Sequence, residues 1–428
     1  MPPLVNEEQR IVASHRIRIL NIALRLGTLG SRFLFIFFLA RFLEPAQLGL
    51  YGLLTATVGY SLYLLGFDFY TFTTREVLKR ERQEWGGLLK DQGVLSLLLY
   101  AIFIPLLSMI FIKGLLPWHL FGWFFALLIL EHLNQEIGRL LIAISEQLWA
   151  SALLFVRQGT WAIAVIALMT LQPSTRSLDY VFCMWTAAGL IAVLTGTSRL
   201  MNLGIGGWQK KMDWNWIATG LKVSVPFLVA TLAVRGVFTL DRYWLQSLGG
   251  LEVVGAYVLF MGISGTLMAF LDAGVFAFSY PGLISAHHKQ QPDVFRQNMH
   301  SLLIQTAMLS LAFAAVSLLL LSPLLDWLGN PIYAQQRYLY PWLLVAMILN
   351  ALSMVPHYAL YAQGIDRPII HSHLASLLVF VGATWLFAPH WPLLAVPLGL
   401  CAAVAVVLAW KAWAFLKVAP VQYYSAQP

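Results

Sequence analysis

The chemistry of this chain starts with arginines in places where charge is costly. On the first long apolar segment, Asn21, Arg25, Thr28 and Arg32 follow an i, i+4, i+7, i+11 series. That spacing lays them along one stripe of an α-helix. The segment carries no acid, so the two guanidiniums cannot be neutralised within it. Thr231 and Arg235 lie one turn apart on a seventh such segment, and Arg157 sits about two turns into a fifth. A guanidinium stays charged and offers a planar fork that fits phosphate oxygens. Arg25, Arg32, Arg157 and Arg235 therefore predict a cationic, anion-binding cavity to which both halves of the chain contribute. A competing reading pairs each arginine with an acid on a neighbouring helix, the candidates being Asp68, Glu131, Glu136 and Asp272. Arg157 is also placed to snorkel to the inner interface. Asp241 and Arg242 read as a local pair at the outer rim.

The same four acids are the candidates for ion coupling. A carboxylate inside a membrane that titrates as access alternates carries H+ or Na+. On the fourth segment, Glu131 and Gln135 form one stripe, and His132, Glu136 and Arg139 form another. Glu136 and Arg139 are spaced to pair at i, i+3. His357 and His371-Ser-His373 have no cysteine or carboxylate support, so no metal is expected. His287-His288 reads as a solvated loop. No HExxH, P-loop, dinucleotide fingerprint or G-x-S-x-G occurs, so neither a cofactor nor serine chemistry is predicted.

The elements that must hold these residues follow from composition. The chain has 428 residues, of which 59% are apolar and 11% charged, with a mean hydropathy of +0.73. An ordinary soluble domain is about 25% charged. So few charges cannot cover a soluble surface of this size, which excludes a cytosolic enzyme, a secreted disulfide domain and a disordered chain. The apolar runs are continuous rather than alternating, which argues against an outer-membrane barrel. The fold class expected is an all-α polytopic membrane protein with about 12 transmembrane helices, in two parallel six-helix lobes around a central cavity. The spans fall near 19–42, 47–70, 93–115, 117–138, 148–171, 178–199, 217–247, 252–285, 298–325, 336–361, 369–388 and 392–416. Trp118, Trp149, Trp327 and Trp391 stand at span ends as interfacial anchors. Pro389-His-Trp-Pro392 reads as a tight turn. Cys183 and Cys401 read as buried free thiols.

Basic residues set the orientation. With the N-terminus inside, 18 of the 27 Lys and Arg fall on the cytoplasmic side, 5 outside and 4 within spans. That bias places both termini in the cytoplasm, with residues 1–18 as a retained tail rather than a signal peptide. The net charge of +8 then meets anionic lipid and calls for no nucleic acid. The stretch 204–216, with Gly204, Gly206, Gly207, Lys210, Lys211 and three tryptophans, reads as an interfacial linker. It divides an N-terminal lobe, 1–203, from a C-terminal lobe, 217–428. A shift of 206 residues superposes Gly30 on Gly236, Gly49 on Gly255, Tyr51 on Tyr257 and Gly59 on Gly265. Six spans per copy make this a parallel repeat, with the substrate path expected between the copies.

These residues resemble a known family. Ala40-Arg41-Phe-Leu-Glu44-Pro45 followed by Leu48-Gly49-Leu-Tyr51 resembles the end of the first span in bacterial polysaccharide flippases, whose pattern is A-R-x-L-G-P, then F-G-x-Y. Glu44 and Leu48 depart from it. Gly66 through Arg75-Glu76 is similar to the family's exit from the second span. Pro226, Asp241-Arg242, Gly249, Val254-Gly255-Ala-Tyr257 and Tyr280-Pro281 resemble the opening of its second half. The resemblance covers spans 1–2 and 7–8, with hydropathy alone elsewhere. It implies the Wzx-type O-antigen and lipid-linked oligosaccharide flippases, within the multidrug, oligosaccharidyl-lipid and polysaccharide exporter superfamily.

The resemblance implies a bacterial inner-membrane protein, not an enzyme. It would move undecaprenyl-pyrophosphate-linked sugar repeats across the membrane by alternating access, for surface polysaccharide such as lipopolysaccharide. The cationic cavity would bind the pyrophosphate. An ion-coupled multidrug exporter of the same superfamily is the alternative, disfavoured by two arginines and no acid on the first span. A membrane-embedded polymerase or ligase is less favoured, because no outside loop is much above about 15 residues.

Overall fold

The computed structural model describes residues 7–423, with side chains from 19 onward apart from Val421. Arg10, Arg16 and Arg18 of the basic tail lie outside the described side chains. Fifteen α-helices and no strand occur among the described residues. In chain order they are α1 (Glu7–Phe42), α2 (Pro45–Gly66), α3 (Tyr70–Leu78), α4 (Trp85–Ile112), α5 (Phe121–Ala143), α6 (Gln147–Phe155) and α7 (Trp161–Leu171). There follow α8 (Leu178–Met201), α9 (Trp214–Leu271), α10 (Ala277–His288), α11 (Pro292–Leu328), α12 (Pro331–Gln335), α13 (Leu339–Ala362), α14 (Arg367–Phe387) and α15 (Pro392–Val418).

Among the described residues, ten helical segments are long and apolar enough to cross a membrane. Two further crossings follow from local physics. The helix α5 carries Glu131, Glu136 and Arg139 within 23 residues, so charge, not length, sets it apart from the ten. The segment Trp214–His288 runs 75 residues, about 110 Å if straight, far beyond one bilayer crossing of about 30 Å. It breaks at Gly250, whose φ of 77° and ψ of 179° are non-helical and favour glycine. Tyr257 Oη donates to Asp241 Oδ2 at 2.6 Å. Sixteen residues of straight helix would hold these groups about 24 Å apart. The chain therefore reverses at Gly250, and the protein is a multi-pass membrane protein of the expected all-α class. Tyr257→Phe leaves the buried Asp241 carboxylate short of a donor, and we expect it to cost about 1–3 kcal/mol. An unchanged thermal midpoint in detergent would contradict this.

Outward faces are apolar, as lipid contact requires. Leu97, Leu106, Leu194, Met308, Leu319 and Leu378 are all exposed. Cys183 is exposed on such a face rather than buried as expected; a small thiol on a helix meets lipid at little cost. Cys401 is half-buried and its Sγ donates to the Trp342 carbonyl at 3.2 Å. His287 and His288 close the last turn of α10 rather than a loop, with His287 Nδ1 2.9 Å from Tyr423 Oη.

The chain forms two compact units. One comprises Met1–Phe42 with Thr57–Leu228, the other Leu43–Ala56 with Val229–Pro428. These bounds differ from the halves 1–203 and 217–428. Trp216 and Ile217 of α9 pack with Phe69, Leu88 and Leu95 in the first unit. The first turns of α2 pack against α9 in the second. There Gly49 meets Leu251 and Gly255, while Gly255 meets Pro45. A Cβ at either glycine would collide with a backbone carbonyl. Thus two glycines superposed by the 206-residue shift touch each other. Gly255→Val should abolish the folded monomer on size-exclusion in detergent, whereas Gly265→Ala, with open space around it, should not.

The stretch after α8 is docked in the first unit, on the start of α4. Gly86 N–H donates to the Gly206 carbonyl at 2.7 Å, and Gly206 N–H to the Arg82 carbonyl at 3.3 Å. Lys210 Nζ lies 2.7 Å from Glu84 Oε1.

Candidate functional site

The site in the first unit is built where α1 meets α6, α7 and the turn between them. Val156–Thr160 forms a π-helical turn, a widening that re-aims side chains and recurs at functional sites. It carries Arg157 and Gln158. Gly159 lets α1 approach: a Cβ there would lie 2.6 Å from Phe155 and 3.2 Å from Ser31 Oγ. Trp161 caps the turn, its Nε1 donating to the Arg157 carbonyl at 2.8 Å and its ring stacking on Trp185 at 5.4 Å.

The α1 stripe faces this turn. Arg25 Nε donates to Ser151 Oγ at 3.1 Å. Seven residues on, Arg32 Nη1 donates to Gln158 Oε1 at 2.9 Å. Thr28, between them, is buried and satisfied by the Leu24 carbonyl at 2.8 Å. Both arginines are exposed. Among the described residues neither has a carboxylate within ion-pair distance. Each therefore keeps guanidinium donors free of any acid.

Arg157 behaves differently. Its Nη2 lies 3.0 Å from Glu131 Oε2, with 12% and 8% of the two side chains exposed. The other Glu131 oxygen accepts from Trp185 Nε1 at 2.8 Å. Glu136 pairs with Arg139 at 2.9 Å, as their spacing predicted, and accepts from Gln92 Nε2 at 2.6 Å. The Arg139 guanidinium sits 3.5 Å over the Tyr70 ring. His132 Nδ1 is 2.6 Å from Tyr100 Oη, which leaves its buried Nε2 without a partner. Both α5 carboxylates are thus matched by a guanidinium and a neutral donor. Asp68 is buried in the turn after α2 with φ of 50°, its carbonyl accepting from Thr71.

In the second unit Arg235 is exposed on α9, its carbonyl accepting from Thr239 Oγ1 at 2.9 Å. Asp272 opens a second π-helical turn, Asp272–Phe276. The Asp241–Arg242 pair closes through the backbone, Arg242 N–H donating to Asp241 Oδ1 at 2.7 Å. The Arg242 guanidinium instead donates to the Phe238 carbonyl at 3.1 Å.

The structure thus gathers Arg25, Arg32, Arg157, Glu131 and Glu136 in the first unit and places Arg235 and Asp272 in the second. Ser151, Gln158, Trp185, Gln92 and Tyr100 complete the first-unit network, and their spacing in the sequence does not reveal it. Gln92 and Gln158 in apolar runs were the available signal. Lys411 is hidden from sequence reasoning for another reason. It is one of the 18 basic residues that the orientation places on the cytoplasmic side, yet it lies within α15 and is 2% exposed. Its position seven residues before the helix end hid its burial, which depends on α13 and α14.

No known protein-family model matches the chain, and no curated protein does. Solved structures do. An inward-facing conformation of a multidrug resistance MATE family transporter of the MOP superfamily matches with a TM-score of 0.72 and 12% identity, over 95% of this chain and 100% of that one. An outward-facing conformation of such a transporter matches with a TM-score of 0.62 and 12% identity, over 94% and 95%. A MOP superfamily transporter from Pyrococcus furiosus, described as having a binding pocket of reverse polarity that suggests a different function, matches with a TM-score of 0.62 and 14% identity, over 94% and 96%. This chain therefore has the fold of the MATE transporters of the MOP superfamily.

Proposed function

We propose that this protein is a flippase for lipid-linked oligosaccharides. Arg25 and Arg32 bind the pyrophosphate of an undecaprenyl-linked repeat unit, and alternating access carries it from the cytoplasmic to the outer leaflet of a bacterial inner membrane. The observation that carries this reading is an asymmetry of pairing. The two exposed arginines of α1 bond only to neutral acceptors, Ser151 and Gln158, whereas Glu131 and Glu136 are each held by an arginine. A surface with spare guanidinium donors and occupied carboxylates favours an anion. Arg235 serves as the corresponding residue of the second repeat copy, with 1–203 and 217–428 as the two copies and 204–216 as their linker. Both termini are cytoplasmic. Outward movement of an anion is favoured by the inside-negative potential, at about 2.3 kcal/mol per charge per 100 mV. Surrounding lipid and this substrate are the partners.

Multidrug export is the second reading, and the similarity in fold to multidrug resistance MATE family transporters supports it. The Pyrococcus furiosus transporter supports looking beyond it, since that protein has the same fold and is described with reversed pocket polarity. The deciding experiment is deletion of the gene. Lipid-linked repeat units held on the cytoplasmic leaflet are expected. Normal surface polysaccharide with new drug sensitivity would replace the flippase reading by the exporter one.

A further inference from the structure

In the second unit a buried lysine, Lys411, lies with two half-buried histidines, His357 and His373. His357 lies five residues before the end of α13, His373 six residues into α14, and Lys411 seven residues before the end of α15. Residues 363–366 join α13 to α14, and 388–391 join α14 to α15. The end of α13, the start of α14 and the end of α15 are thus on one side. At 1.5 Å per residue the three groups stand about 8–10 Å in from that side, at one level. Helix α15 packs against both α13 and α14, and Lys411 interacts electrostatically with both histidines.

Nothing around them balances charge. Lys411 is 2% exposed, and His357 Nδ1 is buried without a hydrogen-bond partner. Among the described residues no carboxylate is within ion-pair distance of any of the three. On α13, Tyr361 stacks beside His357, and Tyr358 takes the field of Asp272 from the turn before α10. On α15, Lys417 lies over Trp413. On α14, His371 is exposed. On α11, Arg296 pairs with Asp293. Three adjacent bases, one of them enclosed and none paired with an acid, repel one another's charge, so protons enter and leave them as a coupled set. A purely structural core would have an apolar residue in place of Lys411 at less cost.

We propose that Lys411, His357 and His373 form a proton-exchange site through which the transport cycle is coupled to protons. The site's own claim is proton binding; its link to transport rests on the proposed function. It is a base cluster in the second unit, distinct from the carboxylates of α5.

The full-length protein in detergent, with lysines labelled at Nζ and Cε, tests proton binding without any substrate. The Lys411 resonance, assigned by its absence in K411M, is expected to respond to pH separately from that of exposed Lys79. His373→Asn should move its midpoint. A Lys411 resonance that stays with Lys79 throughout, or that ignores His373→Asn, overturns the proposal. If K411M does not fold, loss of the resonance in Lys411→Arg, which keeps the charge, provides the assignment.

Proteoliposomes carrying a polyprenyl-pyrophosphate disaccharide test coupling. An imposed pH gradient should raise translocation severalfold in the unmodified protein, and His373→Asn should lose that response while keeping downhill translocation. A sodium gradient that drives translocation with no response to pH overturns the coupling. A titrating Lys411 in a protein that never moves this lipid supports the proton site and sinks the flippase reading.

Discussion

Replacing Arg25 and Arg32 together with alanine is expected to abolish polysaccharide export while the protein still inserts and folds. Both side chains are exposed and reach only Ser151 and Gln158, two neutral groups that can turn to other partners when the arginines are gone. The fold therefore loses little. The substrate loses much more. A hydrogen bond to a charged group contributes about 1.5–3 kcal/mol, so two lost contacts weaken pyrophosphate binding by roughly 10²–10⁴-fold. The conservative pair Arg25→Lys with Arg32→Lys keeps the charge and loses the planar fork. It should fall between, with export measurable but reduced. Export would be followed as surface polysaccharide, with lipid-linked repeats counted in the inner membrane. Full export by the double alanine variant, at equal protein level, would remove these arginines from the substrate path.

Glu131→Gln should destabilise the first unit by about 3–5 kcal/mol, because it leaves the Arg157 guanidinium enclosed and unpaired. The pair is 3.0 Å apart and both side chains are largely buried. Glutamine can still accept from Trp185 Nε1, so the loss reports the charge and not the Trp185 bond. The paired change Glu131→Gln with Arg157→Met removes both charges and should recover most of the stability. Thermal unfolding in detergent reads the difference. If Glu131→Gln unfolds at the same temperature as the unmodified protein, the ion pair is not what occupies Arg157, and that arginine returns to the substrate-binding set.

The arginines behind these two predictions differ in what fixes their partners. Spacing alone put Arg25 and Arg32 on one stripe, because helical periodicity is a local property. Spacing also paired Glu136 with Arg139 within α5. The partner of Arg157 could not be read this way. Several acids on other segments were equally plausible, and only the packing of the π-helical turn beside α5 and α8 selects Glu131. Lys411 shows the converse error. Near a span end a lysine ordinarily snorkels to the surface, and counting it as a cytoplasmic charge follows from that. Helices α13 and α14 close over it instead.

By itself the sequence determined the membrane environment, the helical class, the approximate places where the chain crosses and the arginine stripe on the first helix. Each of these depends on composition or on periodicity within one segment, where the energy of burying apolar surface and satisfying the backbone dominates. Tertiary structure decided which charges are neutralised and which remain available. It paired Arg157 with Glu131, left Arg25 and Arg32 with neutral partners, drew Gly49 against Gly255 and enclosed Lys411 beside His357 and His373. Ion pairs and close helix crossings join residues far apart in the chain, and their strength falls off over a few ångströms. Their identity is therefore set by packing, on which spacing within a single helix has no hold.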